Sequence, residues 1–257
     1  MPRPRRIGNE PGDEGDDASP NFYRDVSSRA MTTTVTIESK DGKNVSAELA
    51  EPSGSAKAPA VVLVQEYWGI NDHVKSLVDR LAKDGFLVAA PDLYHGKIAK
   101  DAAEAGKLMT ELDTLQAVEE IDAAARYLRA HARGNGKVGV VGFCLGGALT
   151  FAAACHVEGL DAAVPFYGVP PAEKVDYTKV TAPVLAHFAK NDEWASVAKA
   201  EAIKQQIEAA GKTTMQLEVY DAGHAFVNDA RPEAYDEKSA KLAWQRTVDF
   251  LKKHLSA

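Results

Sequence analysis

In Gly142-Phe143-Cys144-Leu145-Gly146-Gly147, a cysteine sits among glycines, directly after the predicted strand Lys137 to Val141 and before an alanine-rich stretch from Ala148 to Cys155. A strand, a sharp turn and a helix in that order make a G-x-nucleophile-x-G elbow. Its glycines allow the tight turn that exposes the middle side chain. The helix N-terminus behind Cys144 supplies backbone N–H donors and partial positive charge, which favour both a thiolate and a tetrahedral oxyanion. Such a nucleophile needs a base, and the base needs an orienting acid. Asp192 follows Cys144 by 48 residues and His224 follows Asp192 by 32, in the order nucleophile, acid, histidine. Each lies just past a predicted strand, Asp192 after Val184 to Phe188 and His224 after Met215 to Tyr220.

The other histidines read differently. His73, His131 and His254 fall on polar helices as solvated residues, His156 ends the helix after the elbow, and His187 lies within a strand as a hydrogen-bonded core residue. His95 follows Tyr94 in a loop where both could line a pocket. Asp221 competes with Asp192 as the acid, but three residues before His224 it reads as shaping the turn. Cys155, among alanines, reads as core. Glu66, in Gln65-Glu66-Tyr67-Trp68-Gly69, ends the fully apolar strand Ala60 to Val64, where a partly desolvated carboxylate is suited to proton transfer.

These positions require a scaffold that brings strand ends together. Val35 and Ile37, then Val45, Ala47 and Leu49, alternate about Asp41-Gly42 and predict a hairpin. Continuous apolar strands follow at Ala60 to Val64, Phe86 to Ala90, Val138 to Val141 and Ala162 to Phe166, besides the two already named. Helical spacing separates them: Val74 to Leu81 capped by Asn71 or Asp72, a region from Leu108 to Leu128, Ala195 to Ala210, and Tyr235 to Leu255. Strands buried on both faces and separated by helices predict an α/β fold, with a mainly parallel sheet, helices on both faces and the hairpin as an antiparallel edge. Ligands in such folds collect at the carboxyl ends of strands.

The chain of 257 residues is 45% hydrophobic and 26% charged, the balance of a globular protein that buries a core. Residues 1–30 hold six acids, five arginines and four prolines against seven hydrophobics, which predicts a disordered extension ahead of one domain over 31–257. A net charge of -7 speaks against nucleic acid as partner. No run of 18 apolar residues suggests a membrane partner, and two cysteines suit a reducing, cytoplasmic location. The composition leaves monomer or small homo-oligomer open.

Taken together, Gln65-Glu66-Tyr67-Trp68-Gly69, Ala90-Pro91-Asp92-Leu93-Tyr94, the cysteine elbow and Ala222-Gly223-His224-Ala225-Phe226 resemble the dienelactone hydrolase family over about residues 32–255. The resemblance implies an α/β-hydrolase fold and a Cys144, His224 and Asp192 triad that cleaves a small ester or lactone through a thioester, as carboxymethylenebutenolidase does. It also implies that Glu66 assists the thiol and that the N–H groups of Tyr67 and Leu145 form an oxyanion hole. No metal or organic cofactor is implied. Trp68, Tyr94, Trp194 and Phe226 are the expected pocket residues.

The chain departs from the namesake pattern at the substrate carboxylate. Those enzymes hold it with arginines, one of them four residues after the histidine, where this chain has Asn228. No arginine stands in for the second, since Lys97, Lys100 and Lys107 are the only cations in residues 95–110; Arg231 lies near the first position. Two other functions compete. A glutamine amidotransferase also uses a cysteine elbow, but with an acid two residues after the histidine, where this chain has Phe226. A binding protein on a hydrolase scaffold is the other, since fold does not fix function.

Overall fold

The computed structural model describes residues 32–256, so the expectation of disorder over residues 1–30 lies outside the described residues. Strands β1 (Thr33–Glu38), β2 (Asn44–Ala50), β3 (Ala58–Val64), β4 (Leu87–Pro91), β5 (Gly134–Phe143), β6 (Ala162–Phe166), β7 (Val184–Asn191) and β8 (Met215–Gly223) form one sheet. Its order is β1-β2-β4-β3-β5-β6-β7-β8. The hairpin β1–β2 is antiparallel and joins β4 antiparallel, while every pair from β4 to β8 is parallel. The sheet is therefore mostly parallel with an antiparallel edge, as the sequence predicts.

Helices α1 (Asp72–Lys83), α2 (Ala102–Glu111), α3 (Thr114–Ala130), α4 (Leu145–His156), α5 (Val197–Ala209) and α6 (Glu237–Leu255) connect the strands. Both faces of the parallel strands are covered, which is why these strands read as unbroken apolar runs. Along β3, Val61 and Leu63 join a cluster with Leu77 of α1 and Leu251 of α6, while Ala60, Val62 and Val64 join one with Ile121 and Leu128 of α3. Asn71, not Asp72, caps α1, its side chain accepting a hydrogen bond from Val74 N.

The spacing from Leu108 to Leu128 predicts one continuous helical region, and the structure divides it. Leu112 leaves the helix with an extended ψ of 122°, and Asp113 caps α3 by accepting hydrogen bonds from Leu115 N and Gln116 N. The apolar spacing runs through the break, which hides it from periodicity; the cap residue is the signal that marks it. His73 also differs from expectation. It is buried on α1, with Nδ1 3.1 Å from an Asp229 carboxylate oxygen, because it faces inward with Val74 and Leu77.

Candidate active site

β5 ends at Phe143 and α4 begins at Leu145, leaving Cys144 alone to reverse the chain. It does so at φ 54° and ψ -113°, a conformation that non-glycine residues rarely adopt. The turn is tolerated because its neighbours have no Cβ. A Cβ on Gly146 would run into Val64 O of β3, and one on Gly142 into Gly146 O. In the loop after β6, a Cβ on Gly168 would strike Cys144 O. Helix α4 can thus start against the strand ends, with the Cys144 thiol at its N-terminus.

The parallel order sets the partners. Asp192 follows β7 and His224 follows β8, both at the edge of the sheet where β5 ends. His224 Nε2 lies 3.2 Å from Cys144 Sγ, and its Nδ1 lies 2.6 Å from Asp192 Oδ2. Asp192 Oδ1 accepts hydrogen bonds from Trp194 N and Ala195 N at 2.9 and 3.0 Å, so three donors fix this buried carboxylate. Burial alone would push the Asp192 carboxyl up, yet the hydrogen bonds from His224, Ala195 and Trp194 hold it below its usual range. Burial would likewise lower the His224 imidazole, but its hydrogen bonds to Asp192 and Cys144 outweigh that effect and raise it to about 10. The ionised Asp192 fixes Nδ1 as the protonated nitrogen and turns Nε2 toward the sulfur.

Glu66 follows β3, the neighbour of β5, and is buried. Its Oε2 accepts a 2.6 Å hydrogen bond from Asn228 Nδ2, and Asn228 Oδ1 in turn accepts from Ala230 N at 3.1 Å. The position where the sequence departs from the namesake pattern therefore holds Glu66 with a neutral amide. Tyr167, after β6, is fully buried, with its ring 5.2 Å from that of His224. Burial and the nearby Glu66 carboxylate keep its phenol well above the usual tyrosine range.

These groups face a cavity of about 530 Å³. Glu66, Tyr67, Trp68, Cys144, Leu145, Trp194 and His224, all expected from the sequence, line it. The Leu145 N–H, first in α4, has no carbonyl partner within the helix and is available to an oxyanion. Tyr94 and Phe226, also expected at the pocket, are not part of its lining. Tyr94 is buried and faces a separate cavity of about 230 Å³ beside His95 and Glu120. Phe226 turns inward and packs its ring against Tyr167 and Tyr220, at 5.3 and 5.0 Å between ring centres. Both follow strands at the correct edge, but a turn decides which side chain faces the cleft.

Tyr167, Met109 and Leu112 also line the cavity, and none of them stands out by residue type in the sequence as a site residue. Tyr167-Gly168 directly after the strand Ala162 to Phe166 is a readable signal, since that strand ends at the same edge. Met109 and Leu112 depend on the break between α2 and α3. Asp221 is exposed at the end of β8, 3.9 Å from Lys190 Nζ. Arg231 lines the cavity with its guanidinium 5.9 Å from the centre of the Trp68 ring, while its Nε donates to Glu233 at 2.8 Å.

This arrangement can deliver a sulfur nucleophile, accept its proton and stabilise an oxyanion at a helix N-terminus. The sequence profile of the Dienelactone hydrolase family matches residues 45–255. Protein usf of Aquifex pyrophilus is 34% identical over 226 residues, covering 84% of this chain and 96% of that protein. The carboxymethylenebutenolidase of Pseudomonas putida is 32% identical over 232 residues, covering 86% of this chain and 96% of the enzyme. A crystal structure from Klebsiella pneumoniae subsp. pneumoniae, assigned to the dienelactone hydrolases, superposes with a TM-score of 0.78 at 30% identity over 87% of this chain and 98% of that one. On the sequence match and the shared α/β-hydrolase architecture, this chain belongs to the dienelactone hydrolase family and is a hydrolase of the ester or lactone type.

Proposed function

We propose that the protein hydrolyses a small ester or lactone by acyl transfer through Cys144. The observation that carries this reading is the continuous contact from Sγ through the imidazole to Asp192 at the helix N-terminus. The thiol proton is held on His224 Nε2, whose proton affinity the hydrogen bonds to Asp192 and Cys144 raise, and Sγ adds to the carbonyl carbon. The carbonyl oxygen becomes an oxyanion, which the N–H groups of Leu145 and Tyr67 receive. When the C–O bond breaks, the leaving oxygen takes the proton from His224 and a thioester remains on Cys144. Water then gives a proton to His224 and its oxygen to the acyl carbon; the acid leaves, and the proton returns to the sulfur.

Asp192 holds the imidazole in the required tautomer and balances its charge. Glu66 is a second proton acceptor beside the cleft and assists the thiol. Its Oε2 accepts a hydrogen bond from Asn228, and replacement of Glu66 by Gln is expected to lower kcat at least tenfold.

Mass spectrometry after rapid mixing with p-nitrophenyl acetate tests the acyl-enzyme. An adduct on Cys144 is expected in the wild type. Cys144→Ala is expected to fold normally and lose at least three orders of magnitude in kcat/KM, as removed nucleophiles commonly do. Retention of a tenth of the activity would refute the assignment, and absence of turnover by the wild type would point to a binding role.

A further inference from the structure

The cavity is larger than a small lactone needs and falls within the size range of pockets that enclose drug-sized ligands. Each charged side chain in its lining has a protein partner: Glu66 accepts from Asn228 through Oε2, His224 pairs with Asp192, and Arg231 with Glu233. The rest of the wall is largely apolar. Met109, in the last turn of α2, and Leu112, just beyond the end of that helix, both reach the cavity. Met109 is 42% exposed and Trp194, also at the cavity, is 73% exposed. Two large apolar side chains of the lining are thus left partly in water, surface that an apolar ligand would cover.

The two halves of an ester fall on different parts of this wall. His224 must pass its proton to the departing oxygen, so the alcohol half lies on the His224 side, where the Trp194 ring stands 5.3 Å from the imidazole. The acyl half then extends along the remaining wall toward Met109 and Leu112. Resting on the hydrolase reading above, we infer that the preferred substrates are esters with a long, uncharged apolar acyl group. Met109 and Leu112 set that preference. The break between α2 and α3 is what gives the pocket this wall, because it places Leu112 outside the helix, between the reactive cavity and the smaller one beside Tyr94.

The test measures kcat/KM for p-nitrophenyl acetate, butyrate and hexanoate and for mono-p-nitrophenyl glutarate, whose chain ends in a carboxylate. Wild type, Cys144→Ala and the double variant Met109→Ser/Leu112→Ser are compared. The specificity constant of the wild type is expected to rise at least tenfold from acetate to hexanoate, a fully buried methylene being worth about fourfold. The glutarate ester is expected at least tenfold below hexanoate. In the double variant the hexanoate-to-acetate ratio is expected to fall below about threefold, with the circular dichroism spectrum unchanged because Met109 is exposed and Leu112 is only partly buried. A flat or falling acyl series, a glutarate ester that matches hexanoate, or an unchanged ratio in the double variant overturns the inference while leaving the hydrolase reading intact. Lack of Cys144-dependent turnover of every ester overturns both.

Discussion

Asn228 holds a buried carboxylate with an amide whose direction is itself fixed by Ala230 N. Asn228→Ala would leave Glu66 Oε2 buried without that donor, at a cost of about 1–3 kcal/mol. Urea denaturation should show this as a lower midpoint with an unchanged slope; a midpoint equal to that of the wild type would mean that Glu66 finds another donor. At this scale Cys144, Asp192 and His224 were legible because chain order and strand ends constrain them strongly. Tyr94 and Phe226 were not, because the direction of a side chain in a turn depends on backbone angles that residue type does not specify. His73 was misread for a related reason: a helix of mixed composition shows which residues could face inward only once its packing partner is known.

The elbow and helix α2 make opposite demands on glycine. Gly146 packs against backbone of β3, and Gly146→Ala is expected to cost more than about 3 kcal/mol, because overpacking here meets main chain that cannot rotate away. Gly106, inside α2, has nothing within 4 Å of the place its Cβ would occupy, so Gly106→Ala is expected to stabilise the protein by about 0.5–1 kcal/mol. Thermal denaturation of the two variants in parallel checks both signs. Strands and most helices were legible as elements because burial on both faces leaves continuous apolar runs and one-sided burial leaves helical spacing. The order of strands in the sheet was not legible, since a crossover helix carries no record of which neighbour it returns to.

For the whole molecule, the sheet's interior holds a titratable group outside the reactive cleft. His187 of β7 is fully buried and stacked on Phe166, with Nδ1 2.9 Å from Tyr220 Oη and Nε2 3.0 Å from Thr247 Oγ1. Thr247 Oγ1 donates to Ala243 O and so accepts from Nε2–H, which leaves Nδ1 to accept from the tyrosine. Burial, with Arg246 adding to it, pushes the imidazole down to about 3 from an ordinary value of 6.5. The unfolded chain therefore binds a proton here between pH 6.5 and 3 that the folded chain refuses. This stability is present in full above pH 6.5 and is lost as pH falls toward 3. Denaturation midpoints across that window should fall more steeply for wild type than for His187→Gln, and parallel profiles would contradict the assignment.

Among the described strands, β5 lies inside the sheet with neighbours on both sides, whereas β8, which presents His224, has only β7 beside it. Cys144 is thus anchored at the centre and His224 at a margin, where backbone hydrogen bonds open at lower cost than in the interior. Fraying of the outer strand would detach the imidazole while Cys144 remained on a folded elbow. The enzyme should therefore fall silent before it unfolds: in rising urea, ester turnover is expected to disappear ahead of the far-ultraviolet signal, with amide exchange faster along β8 than along β5. Coincident loss of both signals would mean that the margin is as firm as the middle.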